Sequence, residues 1–385
     1  MELNRNLNME NCKYYKEERL VSDDNGVTWY PTGEYRQGDA IGCDSSDCDL
    51  YKDQYLTFVS ISTDVRHKYD YSVKYSLDDG ATWTQLGGGS YSPVIHSGEK
   101  IMWKEPSFPN SSYTGSFSSS GGTFKAEGSC KKSGFKYRRL FSGNTRLSNA
   151  EDLYMVNNVL GSDGKTDYMC EEMFMNCTAL KTPPNLLKLG TNGYSNCGSP
   201  YQTFKNMFSG CKSLREVPKF NSYIVWGNEC CYGMFSGCTS LTTVPLNYLA
   251  TALIHWAGSN PCEYLKYCYA YMFADCINLV QAPELLSEET SSNAYEGMFK
   301  GCTSLHKVVC LGRWFFAPLY KVTNNWLSGC SSSGTVVINC NTTSWTSGPS
   351  GVPEGWDYTC TYSAAQKTEG GVTYSTFDYQ DWTAS

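Results

Sequence analysis

Residues 231–245 read Cys-Tyr-Gly-Met-Phe-Ser-Gly-Cys-Thr-Ser-Leu-Thr-Thr-Val-Pro, and the centre of this stretch returns along the chain. The recurring phrase is Met-Phe-x-x-Cys-x-x-Leu, with copies beginning at Met173, Met207, Met234, Met272 and Met298. Successive phenylalanines are 34, 27, 38 and 26 residues apart. An apolar phrase at such intervals is typical of stacked repeats, in which each coil buries its apolar side against its neighbours.

A degenerate copy of the phrase lies on each side of the five complete copies. Leu140-Phe141-x-x-Asn144-x-x-Leu147 has Asn in the Cys position, and Trp326-Leu327-x-x-Cys330 lacks the last Leu. Atypical terminal repeats are expected because the outermost coils meet water or another domain. The sequence therefore predicts seven coils, stacked about 4.8 Å apart.

Each coil is predicted to contain a short helix and a short strand. The residue three before each Met is apolar, which gives an i, i+3, i+4 stripe. The Leu is followed by Val-Pro, Ala-Pro or Val-Val, an extended run that Pro keeps from continuing as helix. The predicted fold is an α/β leucine-rich-repeat solenoid with short parallel strands, preceded by small all-β N-terminal modules. Its predicted core is Phe174, Cys177, Leu180, Phe208, Cys211, Leu214, Phe235, Cys238, Leu241, Phe273, Cys276, Leu279, Phe299, Cys302 and Leu305.

The cysteine of the phrase could suggest metal or redox chemistry. Stacking places like positions about 4.8 Å apart, slightly beyond the Cβ separation of a disulfide, so pairing is disfavoured but not excluded. A small buried residue accounts better for the column, and we expect reduced, inert thiols. Cys43 and Cys48 could close a small loop, although their spacing is not that of a zinc site.

The phrases at 231–245 and at 267–273, Tyr-Cys-Tyr-Ala-Tyr-Met-Phe, resemble the BspA-like leucine-rich repeats of proteins from gut and oral anaerobes. The resemblance runs from about Leu140 to Trp356, where Gly-Val-Pro-Glu-Gly-Trp is similar to the closing segment of such proteins. It implies a non-catalytic surface or adhesion protein. Similar arrays occur in tail-associated proteins of phages that infect those bacteria.

Four regions are predicted along the 385 residues. Residues 1–50 form an N-terminal attachment module, 51–128 a β-sandwich-like module, 129–356 the repeat region and 357–385 a C-terminal tail or cap. The second module is predicted from two runs with period-two alternation, 55–62 and 69–75. The Ser- and Gly-rich run 107–122 indicates a loop or linker.

A second phrase, Ser-x-Asp-x-Gly-x-Thr-Trp, occurs at 22–29 and at 76–83. It resembles the Asp-box hairpin of sialidases and many non-enzymes, in which Asp and Ser bond backbone amides within a tight turn. A glycan hydrolase is therefore an alternative. A propeller needs several hundred residues, however, and only about 130 precede the repeats, so we interpret the Asp-boxes as folding devices.

Composition excludes several functional classes. The net charge of −7 argues against a nucleic-acid partner. No run of 18 apolar residues occurs, so no membrane span is expected. The four histidines lie in no nucleophile or metal motif. We expect no catalytic residues, no metal and no cofactor.

The sequence near Met1 contains no apolar leader segment. A surface-type protein without an export signal is explained if it leaves the cell by lysis, as a virion component does, or alternatively if a mature chain has lost its leader. The preferred hypothesis is a non-enzymatic phage virion protein, associated with the tail, and the alternative is a bacterial cell-surface adhesin. The expected partners are other virion proteins or a host cell-surface protein or glycan, and a homo-oligomer is left open.

Two coils carry insertions, at 189–201 and 250–264. Insertions in stacked repeats tend to emerge as loops on one face. Both contain aromatic and amide side chains, a mixture suited to gripping a sugar or a protein loop. The alternative is that they are variable connectors without a ligand. The predicted binding residues are Tyr194, Asn196, Tyr201, His255, Trp256 and Asn260.

Overall fold

The computed structural model describes only part of the chain. The described residues are 14–16, 20–22, 30–31, 55–104, 115–129, 137–154, 168–184, 186, 202–218, 228–249, 266–285, 289–290, 293–310, 314–315, 322–339, 347–361, 366–369 and 372–375. Among them no helix is long and apolar enough to cross a bilayer.

The predicted α/β class is wrong. Within the described ranges helix accounts for 2% of residues and strand for 29%. The helical residues are a 3-10 turn at Leu246–Leu249 and the single α-helical residue Val322. The short helix predicted in every coil is absent from these ranges, and the strands belong to several small sheets.

The region before the repeats consists of two packed layers whose strands pair mostly antiparallel. One sheet has the strand order β11-β10-β4-β8-β6-β7, and β5 pairs with β9 separately. Phe58, Phe117 and Trp103 meet between them with ring centroids 4.8–5.7 Å apart. The strands are β4 Leu56–Ser60, β5 Val65–Tyr69, β6 Val73–Ser76, β7 Thr84–Leu86, β8 Lys100–Lys104, β9 Phe117–Gly121, β10 Phe124–Ser129, β11 Leu147–Asn149 and β12 Leu153–Tyr154. Upstream, a small antiparallel sheet contains β1 Tyr14–Lys16, β2 Leu20–Ser22 and β3 Tyr30–Pro31.

Each repeat phrase folds into a run of tight turns. Around Met173, alternate N–H groups bond within the coil: Met173 N–H donates to Cys170 O at 3.2 Å, and Cys177 N–H to Phe174 O at 3.0 Å. Every fourth residue has positive φ, as Asn176 does at 60°. An α-helix needs negative φ throughout, so this backbone cannot be one. Seven segments fold this way and together are called the turn stack: 137–144, 168–177, 202–211, 228–238, 266–276, 293–302 and 322–330.

The other N–H groups of each segment bond to the next segment. Phe174 N–H donates to Met207 O at 2.8 Å, and Phe208 N–H to Met234 O at 2.8 Å. The same bond recurs at every step from Phe141 to Trp326 O, always from the earlier segment to the later one. The backbone thus satisfies half of its donors within a coil and half between coils.

The strand predicted after each Leu is mostly reduced to a single parallel bridge, such as Thr243 with Gln281. Pro245 and Pro283 follow at once, and a proline has no N–H for a longer ladder. The coil with Val308-Val309 instead forms the four-residue strand β14. Parallel pairing there continues through β16 and β17. The remaining strands are β13 Glu289–Thr290, β14 Lys307–Cys310, β15 Trp314–Phe315, β16 Gly334–Asn339, β17 Trp356–Thr361, β18 Gln366–Glu369 and β19 Val372–Ser375.

The turn stack continues directly from the β-layers. Phe117 in β9 donates its N–H to Leu140 O at 2.8 Å, which repeats the bond between successive coils. Asn144 Nδ2 donates to Phe117 O at 3.0 Å. Strand β10 also pairs in parallel with β11 and β12. Phe117 therefore occupies the place of a phenylalanine one coil before the first repeat.

Candidate binding surface

The inside of the turn stack is filled by the residues that recur in the phrase. The predicted core side chains from Phe174 to Leu305 are all 0% exposed. Their phenyl rings stack, with centroids 5.2 Å apart for Phe174 and Phe208 and 5.9 Å apart for Phe273 and Phe299. Offset aromatic stacking adds to the burial of each ring. The interior is thus occupied by structural side chains.

The cysteines of the phrase are hydrogen-bond donors between coils. Cys211 Sγ lies 3.0 Å from Phe174 O, and Cys276 Sγ lies 3.1 Å from Phe235 O. The contact recurs for every cysteine of the column from Cys177 to Cys330, between 3.0 and 3.2 Å. Asn144 Nδ2 makes the same contact to Phe117 O, which explains why Asn replaces Cys in the first coil. All of these thiols are free.

Thiol labelling should find this column unreactive in the native protein. Burial raises the pKa of Cys276 to about 12, so its thiolate is scarce near neutral pH. A thiol-blocking reagent at pH 8 should leave Cys211, Cys238 and Cys276 unlabelled in native protein and label all three in unfolded protein without reductant. Mass spectrometry reads the sites. Native labelling of any of these three thiols, or disulfides within the column, would contradict the prediction.

The outer side of the turn stack varies from coil to coil. The residue two before each Met position lies on this side, partly exposed in five of the seven segments and buried at Glu171 and Ala270. Successive members are neighbours because their carbonyls accept the ladder bonds from the coil before. A column so placed can carry recognition without disturbing the core. Its members are Arg138, Glu171, Lys205, Tyr232, Ala270, Glu296 and Asn324.

Two cations of this column are held by a ring and a carboxylate from the following coil. Arg138 Nε lies 2.6 Å from Glu171 Oε2, and its guanidinium carbon is 4.9 Å from the centre of the Tyr168 ring. Lys205 Nζ lies 2.5 Å from Glu229 Oε2 and 5.2 Å from the centre of the Tyr232 ring. Both arrangements combine an ion pair with a cation–π contact.

Further along the same side lie three tyrosines and a glutamate. Tyr232 and Tyr271 approach with ring centroids 5.4 Å apart. Tyr271 Oη donates to Glu296 Oε1 at 3.0 Å, and Tyr267 is 36% exposed. Burial, then the Glu296 contact, raises the pKa of Tyr271 to about 12. Tyr232, Tyr267, Tyr271 and Glu296 are called the tyrosine–glutamate patch.

The predicted binding residues Tyr194, Asn196, Tyr201, His255, Trp256 and Asn260 lie outside the described residues. Sequence reasoning did not select the tyrosine–glutamate patch. A signal was present, because alignment of the phrases on Met brings Lys205, Tyr232 and Glu296 into one column. Such a column indicates a binding surface only when its side chains are known to lie on the outside of the repeats.

The second Asp-box has the hydrogen bonds of a folding device. Asp78 Oδ1 accepts from Ser76 Oγ at 2.7 Å and from Thr82 N–H at 2.9 Å, and Asp78 Oδ2 accepts from Thr82 Oγ1 at 2.6 Å. The Thr82 and Ser76 hydrogen bonds lower the pKa of Asp78 to about 2. Both carboxylate oxygens are therefore used within the turn. Most of the first Asp-box lies outside the described ranges.

Across the part of the chain that the structure describes, no group of three His, Cys, Asp or Glu side chains is placed to hold a metal ion. The described histidines have separate contacts: His67 contacts Ser119, His96 contacts Asp64, and His306 contacts a backbone carbonyl. No protein-family model matches the sequence, and comparisons with curated proteins and with solved structures give no match.

Proposed function

We propose that this chain is a non-enzymatic binding protein that presents the outer side of the turn stack to a partner. The observation that supports this most directly is the division between inside and outside. Inside, the Phe and Cys positions repeat and are buried. Outside, the column two before Met changes from Arg138 to Glu171, Lys205 and Tyr232. A constant core with a varied surface is how repeat proteins achieve recognition.

The setting we propose is a phage virion, with the protein associated with the tail and bound to other virion proteins or to a host-surface protein or glycan. Support comes from the resemblance of the repeat phrases to BspA-like arrays, some of which belong to tail-associated proteins. The same resemblance also favours a bacterial cell-surface adhesin as a second candidate. The hydrolase alternative has less support, since Asp78 is engaged by Ser76 and Thr82.

Attachment to cells tests this proposal. Purified protein should bind cells of the bacterium that its phage infects, or of the bacterium that displays it. If the insertions carry the contact, the double variant Tyr194→Ala and Trp256→Ala should abolish attachment and leave the melting temperature nearly unchanged. Tyr91→Ala provides a matched control, because this tyrosine is 46% exposed and lies in the β-layers. Full attachment by the double variant would place the site elsewhere, and no attachment by the wild type would refute recognition of that cell.

A further inference from the structure

The outer column repeats one arrangement, a cation held by the next coil. Arg138 and Lys205 each meet a carboxylate and a tyrosine ring supplied by the following segment. In both cases the cation stands two residues before the Met position. These two cations lie two coils apart, in the first and third segments of the turn stack. The same spacing predicts a third cation in the fifth segment.

At that next place the cation is missing from the sequence. The residue is Ala270, whose carbonyl accepts the ladder bond from Gly233 N–H at 2.9 Å, as the equivalent carbonyls do in other coils. The following coil still supplies a carboxylate, Glu296. The tyrosine rings beside it are Tyr271 in the coil of Ala270 and Tyr232 in the coil before that, in place of the ring that the following coil supplies to Arg138 and Lys205. A carboxylate and tyrosine rings that could bind a cation are thus present at a coil where the chain itself provides no lysine or arginine.

The position of the Tyr271 ring is built into the backbone. A Cβ added to Gly297 would lie 2.4 Å from Tyr271 Cε1, so the ring lies against a site where only glycine fits. The Tyr271 hydroxyl donates to Glu296 Oε1, and Asn293 Nδ2 donates to Glu296 Oε2. These donors orient the carboxylate without neutralising its charge. Among the described residues no lysine or arginine forms an ion pair with Glu296.

We propose that the tyrosine–glutamate patch binds an arginine or lysine side chain of a partner protein. The carboxylate of Glu296 and a ring, either the exposed Tyr267 or the partly buried Tyr271, supply the two contacts that Arg138 and Lys205 receive internally. Arginine fits best, because its planar guanidinium both stacks on a ring and forms directed bonds to a carboxylate. The net charge of −7 favours approach of a basic surface. This inference rests on the proposed function and specifies its partner as a basic protein segment.

A peptide titration tests the proposal on the full-length protein. The probes are acetyl-Gly-Arg-Gly-amide and the same peptide with citrulline, which keeps the shape of arginine and removes its charge. Tyrosine ring signals are followed by NMR in protein with isotope-labelled tyrosine. The arginine peptide should shift the signals of Tyr267 and Tyr271 saturably, with binding about five- to tenfold tighter than the citrulline peptide. Equal affinity, or no shift with either peptide, would overturn the proposal.

Three variants assign the effect to the patch. Glu296→Gln should weaken arginine binding about five- to tenfold while keeping the shape of the side chain. Asp275→Asn is the matched control, since it removes one exposed carboxylate that lies outside the patch but in the same coil as Tyr267 and Tyr271, and it should leave binding unchanged. Ala270→Lys should abolish binding by placing an ammonium where Lys205 has one. If that variant does not fold, Glu296→Gln still decides the question.

Two further results separate this inference from the proposed function. Maltotetraose that shifts the same tyrosine signals when the arginine peptide does not would make the patch a glycan site and refute the cation proposal. Arginine binding lost in Glu296→Gln supports the patch even if the protein attaches to no cell. Attachment that persists in Glu296→Gln supports recognition through another surface.

Discussion

Phe235→Ala is expected to reduce the free energy of unfolding by about 3–5 kcal/mol, the typical cost of removing a buried phenyl ring. Phe235 lies in the middle of the turn stack, 5.5 Å from the Phe208 ring and 5.4 Å from the Phe273 ring. Its loss therefore opens a cavity between two coils and removes two stacking contacts. Chemical denaturation followed by circular dichroism measures the change.

The matched control for this prediction is Tyr358→Ala. Tyr358 is 61% exposed, so its truncation should change stability by no more than about 0.5 kcal/mol. If Phe235→Ala and Tyr358→Ala had equal effects, the phenylalanine column would not be the core of the repeats.

Acid is expected to destabilise the protein through His67 well before the carboxylates titrate. The imidazole is 0% exposed among Phe58, Phe124 and Trp103. Nδ1 lies 2.9 Å from Ser119 Oγ, and Nε2 has no hydrogen-bond partner. Burial lowers the pKa of His67 to about 3, against about 6.5 in the unfolded chain.

Because the folded state favours neutral His67, its contribution is fully present above about pH 6.5 and is lost as the pH falls towards about 3. The slope should be roughly 1.4 kcal/mol per pH unit in that window. Denaturation midpoints between pH 6.5 and 4.5 cover this window. The Asp64 hydrogen bond raises the pKa of His96 and burial raises that of Glu171, and both oppose the effect of His67 there, so the contribution of His67 is read as the difference between wild type and His67→Leu. His67→Leu should flatten the slope, with Ser119 Oγ still bonded by Asn144 Nδ2. An unchanged slope in His67→Leu would show that another group titrates.

The register of the repeats could be predicted from the sequence, and their backbone could not. The Phe and Cys positions align on Met, and the structure stacks them in that order. An i, i+3, i+4 stripe is also what a four-residue turn period produces over two turns, so the apolar pattern alone cannot distinguish it from helix.

The positive φ values contain the missing information. Some occur at residues that favour them, such as Asn176, Gly210 and Asp275. Others occur at Glu172 and Tyr271, side chains for which this region costs about 1–2 kcal/mol. The bonds between coils stabilise them there, and those bonds form only when the neighbouring coil is in place. The conformational preferences of single residues do not include the neighbouring coil, so they cannot predict these positive φ values.

The direction of the ladder gives the turn stack an electrostatic polarity. Its N–H groups all point from the earlier coil to the later one, so their peptide dipoles add, as they do along a helix, and the positive end lies at 322–330. Acceptor oxygens from 350–351 lie at that end: Ser350 Oγ accepts the backbone N–H of Asn325 at 3.1 Å, and Gly351 O accepts the side-chain Nε1–H of Trp326 at 2.8 Å. Adding or removing one coil would leave both ends chemically the same. Strand β9 at one end and residues 350–351 at the other would therefore fit an array of any length. The number of coils can then change by duplication or deletion without a new fold.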